Sequence, residues 1–242
     1  MTEWYGRDLA FIHDAGFSDY ALGSAPGLLE ILKRSNLSER LVVDLGCGSG
    51  LWARELVDAG FSVLGIDISG DMIELSRQRV PEAEFRVGSL FDAGIPRCGA
   101  VTAIGEVLNY LFDPENDAQG LVPLFRRVYE ALIPGGVFVF DVAGPGQIPR
   151  GDTVRGFTEG EGWIVLVEKR EQERTLTRRI STFRKTGELY RRTDEVHRQR
   201  LYDPSEVEEG LRHTGFRVRM THDYGGYRLP ESHTAFIAHK PA

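Results

Sequence analysis

Between Leu41 and Leu51 the chain reads LVVDLGCGSGL, an apolar run closed by Asp44, then glycines at 46, 48 and 50, then the helix-like LWARELVDAG. Such a segment folds as a buried strand, a tight turn and a helix start. The turn lets a ligand approach bare backbone, and the helix start offers unpaired N–H groups. A nucleotide-like ligand follows. The dinucleotide fingerprint G-x-G-x-x-G needs a glycine at position 51, where this chain has Leu51. A phosphate loop of the Gly-Lys-Ser/Thr kind is disfavoured, because no lysine occurs between Lys33 and Lys169.

What remains, the acid-first pattern D-x-G-C-G-S-G at 44–50, resembles the first motif of class I S-adenosylmethionine-dependent methyltransferases. The resemblance extends downstream in order. FSVLGID (61–67) ends in Asp67, where the family's second strand carries the acid that binds both ribose hydroxyls. Ile68 follows it, and Ser69 is an N-cap candidate for the helix carrying Met72. FRVGSLFD (85–92) places Ser89 and Leu90 where the family flanks adenine. AVTAIGEVLNY (100–110) matches the fourth strand and the loop over the methyl donor, with Gly105 and Glu106. IPGGVFVFD (133–141) matches the turn into the fifth strand. The resemblance thus implies S-adenosylmethionine as cofactor. It assigns Asp44, Gly46, Cys47, Gly48, Asp67, Ile68, Met72, Ser89, Leu90, Gly105 and Glu106 to its site.

The fold implied is α/β, a Rossmann-like seven-stranded methyltransferase sheet with an inserted antiparallel β subdomain. Residues 1–40 read as an N-terminal helical cover and 41–155 as the cofactor-binding core. In 156–202 the runs WIVLVEKREQ, RTLTRRISTFRK and ELYRRTDEVHRQRLY are β-branched or polar-alternating, and predict a three-stranded antiparallel insertion. Residues 203–242 return to the core and end in an antiparallel strand pair. This arrangement resembles a small branch of the family in which the inserted sheet roofs the acceptor pocket.

With 242 residues, 41% of them hydrophobic, the chain can bury a sizeable core. It has no apolar run of membrane-spanning length, and the acidic start MTEWYGRD has neither the basic nor the apolar region of a secretion signal. A cytoplasmic protein without a membrane partner is expected. Cys47 and Cys98 have no metal-ligand spacing and read as free thiols, and no metal is implied. A net charge of −7 argues against a nucleic-acid partner. The stretch from Glu168 to Arg200, however, holds eleven Lys or Arg against six Asp or Glu. An RNA or other macromolecule methyltransferase using this basic insertion therefore stays open as an alternative to a small-molecule acceptor. So does a non-catalytic S-adenosylmethionine-binding protein. Oligomeric state is not readable.

Methyl transfer from a sulfonium needs in-line placement and, where the nucleophile arrives protonated, a base. His197 is the expected base, facing the acceptor pocket with Arg200 and Tyr202 as neighbours, although strand alternation equally allows a solvated outer face. Tyr110 is expected to cap the pocket, with Glu106 and Asn109 nearby. His13 falls where relatives commonly carry an aromatic residue over the donor. His213, His222, His233 and His239 are expected to be structural or exposed.

Overall fold

The computed structural model describes residues 4–113, 116 and 120–242. Two helices, α1 (Arg7–Gly16) and α2 (Asp19–Arg34), precede the first strand. Apolar runs then alternate with amphipathic helices: β1 (Leu41–Leu45), α3 (Leu51–Asp58), β2 (Ser62–Asp67), α4 (Gly70–Arg79), β3 (Glu84–Val87), β4 (Cys98–Ala103), α5 (Val122–Ala131) and β5 (Leu132–Ala143). After an insertion come α6 (Pro204–Thr214) and β10 (Arg217–Thr221). The short pair β11 (Asp223–Tyr224) and β12 (Tyr227–Arg228) follows, and β13 (His233–His239) is last.

The main sheet has the order β10-β13-β5-β4-β1-β2-β3. β1 through β5 pair in parallel, while β13 runs antiparallel to both β5 and β10. The order reverses between β1 and β4, so a crevice opens at their carboxyl ends, where ligands of open α/β sheets bind. Alternation along the central strands supplies one core per face. Val43, Leu45, Val101, Phe138 and Phe140 pack with Leu124, Phe125 and Leu211. Val42, Val63, Ala100 and Val139 pack with Leu28, Trp52, Leu56 and Ile73.

The turn after β1 is left-handed at Gly46 (φ 72°), Gly48 (φ 54°) and Gly50 (φ 78°), conformations that a side chain disfavours. The Ile66 carbonyl accepts from the N–H groups of Gly46 and Cys47 at 2.7 and 3.1 Å, fixing the turn to the end of β2. Ser69 caps α4 as expected, its Oγ accepting from Met72 N at 3.2 Å.

The insertion is an antiparallel sheet of four strands, not three: β6 (Val154–Gly160), β7 (Trp163–Gln172), β8 (Thr175–Thr186) and β9 (Leu189–Arg200). The strand that sequence reading misses, VRGFTEG, contains Gly156 and Gly160 and is exposed at every position, so it has no alternation to detect. A bridge between Tyr110 and Gln199, and the bond from Leu111 N to Arg198 O at 2.8 Å, tie this sheet to the loop after β4. No described helix is long and apolar enough to cross a membrane.

Candidate active site

A cavity of about 690 Å³ lies between the carboxyl ends of β1, β2 and β4, the inner face of the inserted sheet, and α1. Its floor is the glycine turn. A Cβ on Gly46 would lie 2.6 Å from Val107, whereas a Cβ on Gly48 or Gly105 would meet nothing within 4 Å. The bare backbone at 48 and 105 therefore fronts open space in the cavity, a cradle that a cofactor with a hydrogen-bonding tail fits.

Asp67 projects from the end of β2 into this space. Its Oδ2 accepts from Gly48 N and its Oδ1 from Ser69 N, both at 2.9 Å, while burial pushes its pKa up. A carboxylate anchored by two amides on one side can still accept from a vicinal diol on the other. Ile68, Met72 and Leu90 line the adjoining wall, as does the buried Cys47, whose thiol pKa burial raises well above its ordinary value. Asp44 also borders the cavity. Its Oδ1 accepts from Thr102 Oγ at 2.7 Å, that hydroxyl accepts from Trp52 Nε1 at 3.2 Å, and burial pushes the Asp44 carboxyl up to about 7. Ser89 does not line the cavity. Its hydroxyl donates to Asp113 at 2.7 Å and accepts from Phe91 N at 3.0 Å, so it shapes the Leu90 loop from behind.

The loop after β4 is left-handed at Gly105 (φ 88°) and at Glu106 (φ 56°), where a side chain makes that conformation costly. Asp141, near the carboxyl end of β5 and fully buried, holds it there: its two oxygens accept from Gly105 N at 2.9 Å and Glu106 N at 2.8 Å, and Tyr224 Oη donates to it at 3.0 Å. Sequence reading missed this role, although an acid within the apolar run VFVFDVA was a visible signal.

Glu106 is the hub of a buried polar cluster. Arg178 Nη2 lies 2.6 Å from Oε1, Gln199 Nε2 donates to the same oxygen at 3.0 Å, and His233 Nε2 lies 3.0 Å from Oε2. Burial opposes ionisation of Glu106, but Arg178 and then His233 outweigh it and hold the carboxyl well below its usual range. His233 thus belongs to the site, at the start of β13, rather than being a bystander. Arg178 and His233 were unreadable as partners because they lie far along the chain from Glu106.

His197 is fully buried and does not line the cavity, which corrects the expectation that it faces the acceptor. It packs on Tyr5 at 4.9 Å and Tyr110 at 5.8 Å between ring centroids, and its Nε2 lies 2.7 Å from Glu195 Oε2. Glu195 also accepts from Tyr5 N and Gly6 N at 3.0 and 3.1 Å, so the pair anchors the chain entering α1. Arg200 and Tyr202 likewise do not line the cavity. Asn109 is a buried staple, donating to the carbonyls of Ala143 and Arg200 at 2.8 and 2.6 Å. Tyr110 does reach the cavity, sharing a 2.8 Å hydroxyl contact with Tyr5. The cavity's imidazoles are His13 and His233. Burial lowers the pKa of His13, and its Nδ1 is buried without a hydrogen-bond partner.

The family described as Methyltransferase domain matches residues 42–136, from β1 into β5. A putative methyltransferase of Bacillus subtilis (strain 168), YqeM, is 31% identical over 195 residues, covering 76% of this chain and 76% of its own. A crystal structure of an S-adenosylmethionine-dependent methyltransferase from Clostridium acetobutylicum ATCC 824 superposes with a TM-score of 0.82 at 20% identity, over 96% of this chain and 98% of that one. S-adenosylmethionine-bound CalS10 from Micromonospora echinaspora, an amino pentose methyltransferase, superposes at 0.74 with 18% identity, over 95% and 96% of the two chains. Relative, fold and cradle agree, and the chain belongs to the class I S-adenosylmethionine-dependent methyltransferases.

Proposed function

We propose that this methyltransferase acts on a small molecule, held in the part of the cavity that lies beneath the inserted sheet. The supporting observation is that Val165, Val167, Lys169, Arg178 and Ile180 of that sheet line the same cavity as Gly48, Asp67 and Met72. A cavity of about 690 Å³ is within the roughly 300–1,000 Å³ of small-molecule sites. Several of the inserted sheet's arginines are also engaged by carboxylates: Arg184 and Arg191 pair with Asp8, Arg174 with Glu206 and Arg192 with Asp194. This weakens the nucleic-acid alternative.

Bound in this cradle, S-adenosylmethionine supplies a methyl group already activated on a sulfonium. Asp67 is positioned to hold the ribose hydroxyls, Met72 and Leu90 to sandwich adenine, and the open backbone at Gly48 and Gly105 to receive the amino-acid tail. Tyr110 and Tyr5 close the cavity and exclude water. Burial and the Glu106 charge help to raise the pKa of both phenols, so they remain protonated hydrogen-bonding groups at neutral pH. His13, kept neutral by burial, is better placed than His197 to take a proton from an acceptor that arrives protonated.

Transfer of a labelled methyl group to a metabolite library, alongside calorimetry with S-adenosylhomocysteine, tests this reading. Labelled small molecules are expected. Donor binding without any labelled product would make the protein a sensor, and label appearing only in RNA would move the acceptor outside the cavity.

A further inference from the structure

Lys169 and Arg178 stand directly opposite each other in the β7–β8 register, both on the face that lines the cavity. Like charges so placed destabilise a sheet pair. The neighbour across from Arg178 on β9 is His197, which adds no compensating negative charge. Glu106 neutralises Arg178 at 2.6 Å. No carboxylate of the described residues comes within 4.0 Å of the Lys169 ammonium. Lys169 is half-buried, and burial and then the Arg178 charge lower its pKa, with Glu106 acting only partly against them. Beside it, the buried Nε–H of Arg178 has no hydrogen-bond partner. A cavity wall thus carries an uncompensated ammonium beside a guanidinium that Glu106 pairs through Nη2 and whose buried Nε–H is without a partner.

The remaining groups on this wall do not supply the missing charge. The next inward residue of β7, Glu171, accepts from the N–H groups of Gly146 and Gln147 at 2.8 Å and Ile148 at 3.1 Å, and so fastens the loop after β5. The preceding inward residues, Val165 and Val167, are apolar. A bound group that is negative on one end and apolar on the other complements this surface.

We propose that Lys169, with the Arg178 guanidinium beside it, forms an anion subsite, so that the methyl acceptor carries a carboxylate or phosphate group. The anion is held here while the apolar body lies against Val165 and Val167. This assignment rests on the acceptor occupying the cavity beneath the inserted sheet, and its test keeps the two apart.

The test uses the full chain saturated with S-adenosylhomocysteine, titrated by calorimetry with benzoate and with inorganic phosphate, and benzamide as the neutral control. Wild-type protein is expected to bind at least one of the two anions about tenfold more tightly than benzamide. Lys169→Met, which keeps the side-chain length and removes the charge, is expected to abolish that preference while leaving S-adenosylhomocysteine affinity within about twofold. Benzoate alone binding supports a carboxylate acceptor and phosphate alone a phosphorylated one. Equal binding of anions and benzamide overturns the subsite. Lys169→Met protein that loses S-adenosylhomocysteine affinity also overturns it, because the lysine then serves the donor's carboxylate. Failure of wild-type protein to bind S-adenosylhomocysteine at all would instead strike the donor site itself. In the labelled-methyl assay, acceptors carrying the anion that binds, carboxylate or phosphate, are expected to outrun their uncharged counterparts with wild-type protein and not with Lys169→Met; uncharged counterparts reacting as well as the anions in wild type overturn the proposal.

Discussion

Glu106 and Arg178 meet at 2.6 Å where the loop of the main sheet touches the inserted sheet. Both are largely buried, so removing one charge leaves the other without compensation, at a cost of about 3–5 kcal/mol. Glu106→Gln is expected to lower unfolding free energy by that order, measured by urea denaturation. The double variant Glu106→Gln, Arg178→Met should recover a large part of the loss, since the coupling between touching groups is not additive. Additive losses would mean that the two side chains do not depend on each other.

The same pair gives a pH dependence. Arg178 and His233 hold the Glu106 carboxyl below the value of 4.5 it has when unfolded, in spite of burial. A depressed folded pKa contributes stability that is complete above the unfolded value and is lost as pH falls below it. Asp44 acts with the opposite sign. Burial raises its carboxyl from 3.8 to about 7, so between those values the folded chain holds a proton that the unfolded chain has released. Its contribution therefore declines as pH rises from about 4 to 7. Asp44→Asn preserves the oxygen that Thr102 donates to, and is expected to flatten this decline and to be the more stable protein above pH 7, by a few kcal/mol at most. Unfolding curves at pH 5, 6, 7 and 8 decide it, and an unaltered slope in the variant would remove Asp44 as the cause.

The main sheet was legible because each central strand is a short apolar run ending in a turn signal, and because Asp44 and Asp67 punctuate two such runs at their carboxyl ends. The strand β6 was not, since its exposed residues have no face to bury. His197 shows a subtler limit. Alternation correctly puts His197, Glu195 and Gln199 on one face of β9, but the residues that cover His197, Tyr5 and Tyr110, come from distant loops and cannot be placed by period. The partners of Glu106 were hidden for the same reason. A left-handed glutamate is recognisable only after the fold brings Asp141 beneath its amide.

Asp141 bears directly on that turn. Asp141→Asn keeps one acceptor oxygen and turns an NH2 group toward an N–H it formerly accepted from, leaving a buried donor unpaired for about 1–3 kcal/mol. The loop bearing Gly105 and Glu106 should loosen, with faster amide exchange at those two residues than in wild type. Exchange there that is unchanged would mean the strained turn is held by the polar cluster around Glu106 and not by β5.

Asp67 offers a test of the donor site. Charge-assisted bonds from a diol are worth about 1.5–3 kcal/mol, so Asp67→Ala should weaken S-adenosylmethionine binding by roughly ten- to a hundredfold in calorimetry. Because Asp67 also accepts from Gly48 N and Ser69 N, part of that loss comes from a slackened glycine turn. Asp67→Asn, which keeps an acceptor oxygen, should lose less. Wild-type affinity in Asp67→Ala protein would take the ribose away from this carboxylate.

His13 and His197 can be told apart by their roles, one lining the cavity and the other packed behind it. His13 lines the space, and burial lowers its pKa below 6.5, so its acid limb in kcat should fall below that value. If it removes the acceptor's proton, His13→Ala should cut kcat by about 10²–10⁴ and erase that limb, with S-adenosylhomocysteine affinity nearly intact. His197→Ala leaves a void beneath Tyr5 and Tyr110 and deprives Glu195 of its partner at 2.7 Å, so its effect should appear as lost stability and raised KM while the pH profile keeps its shape. A pH profile that follows His197 and ignores His13 would restore the base role to the inserted sheet.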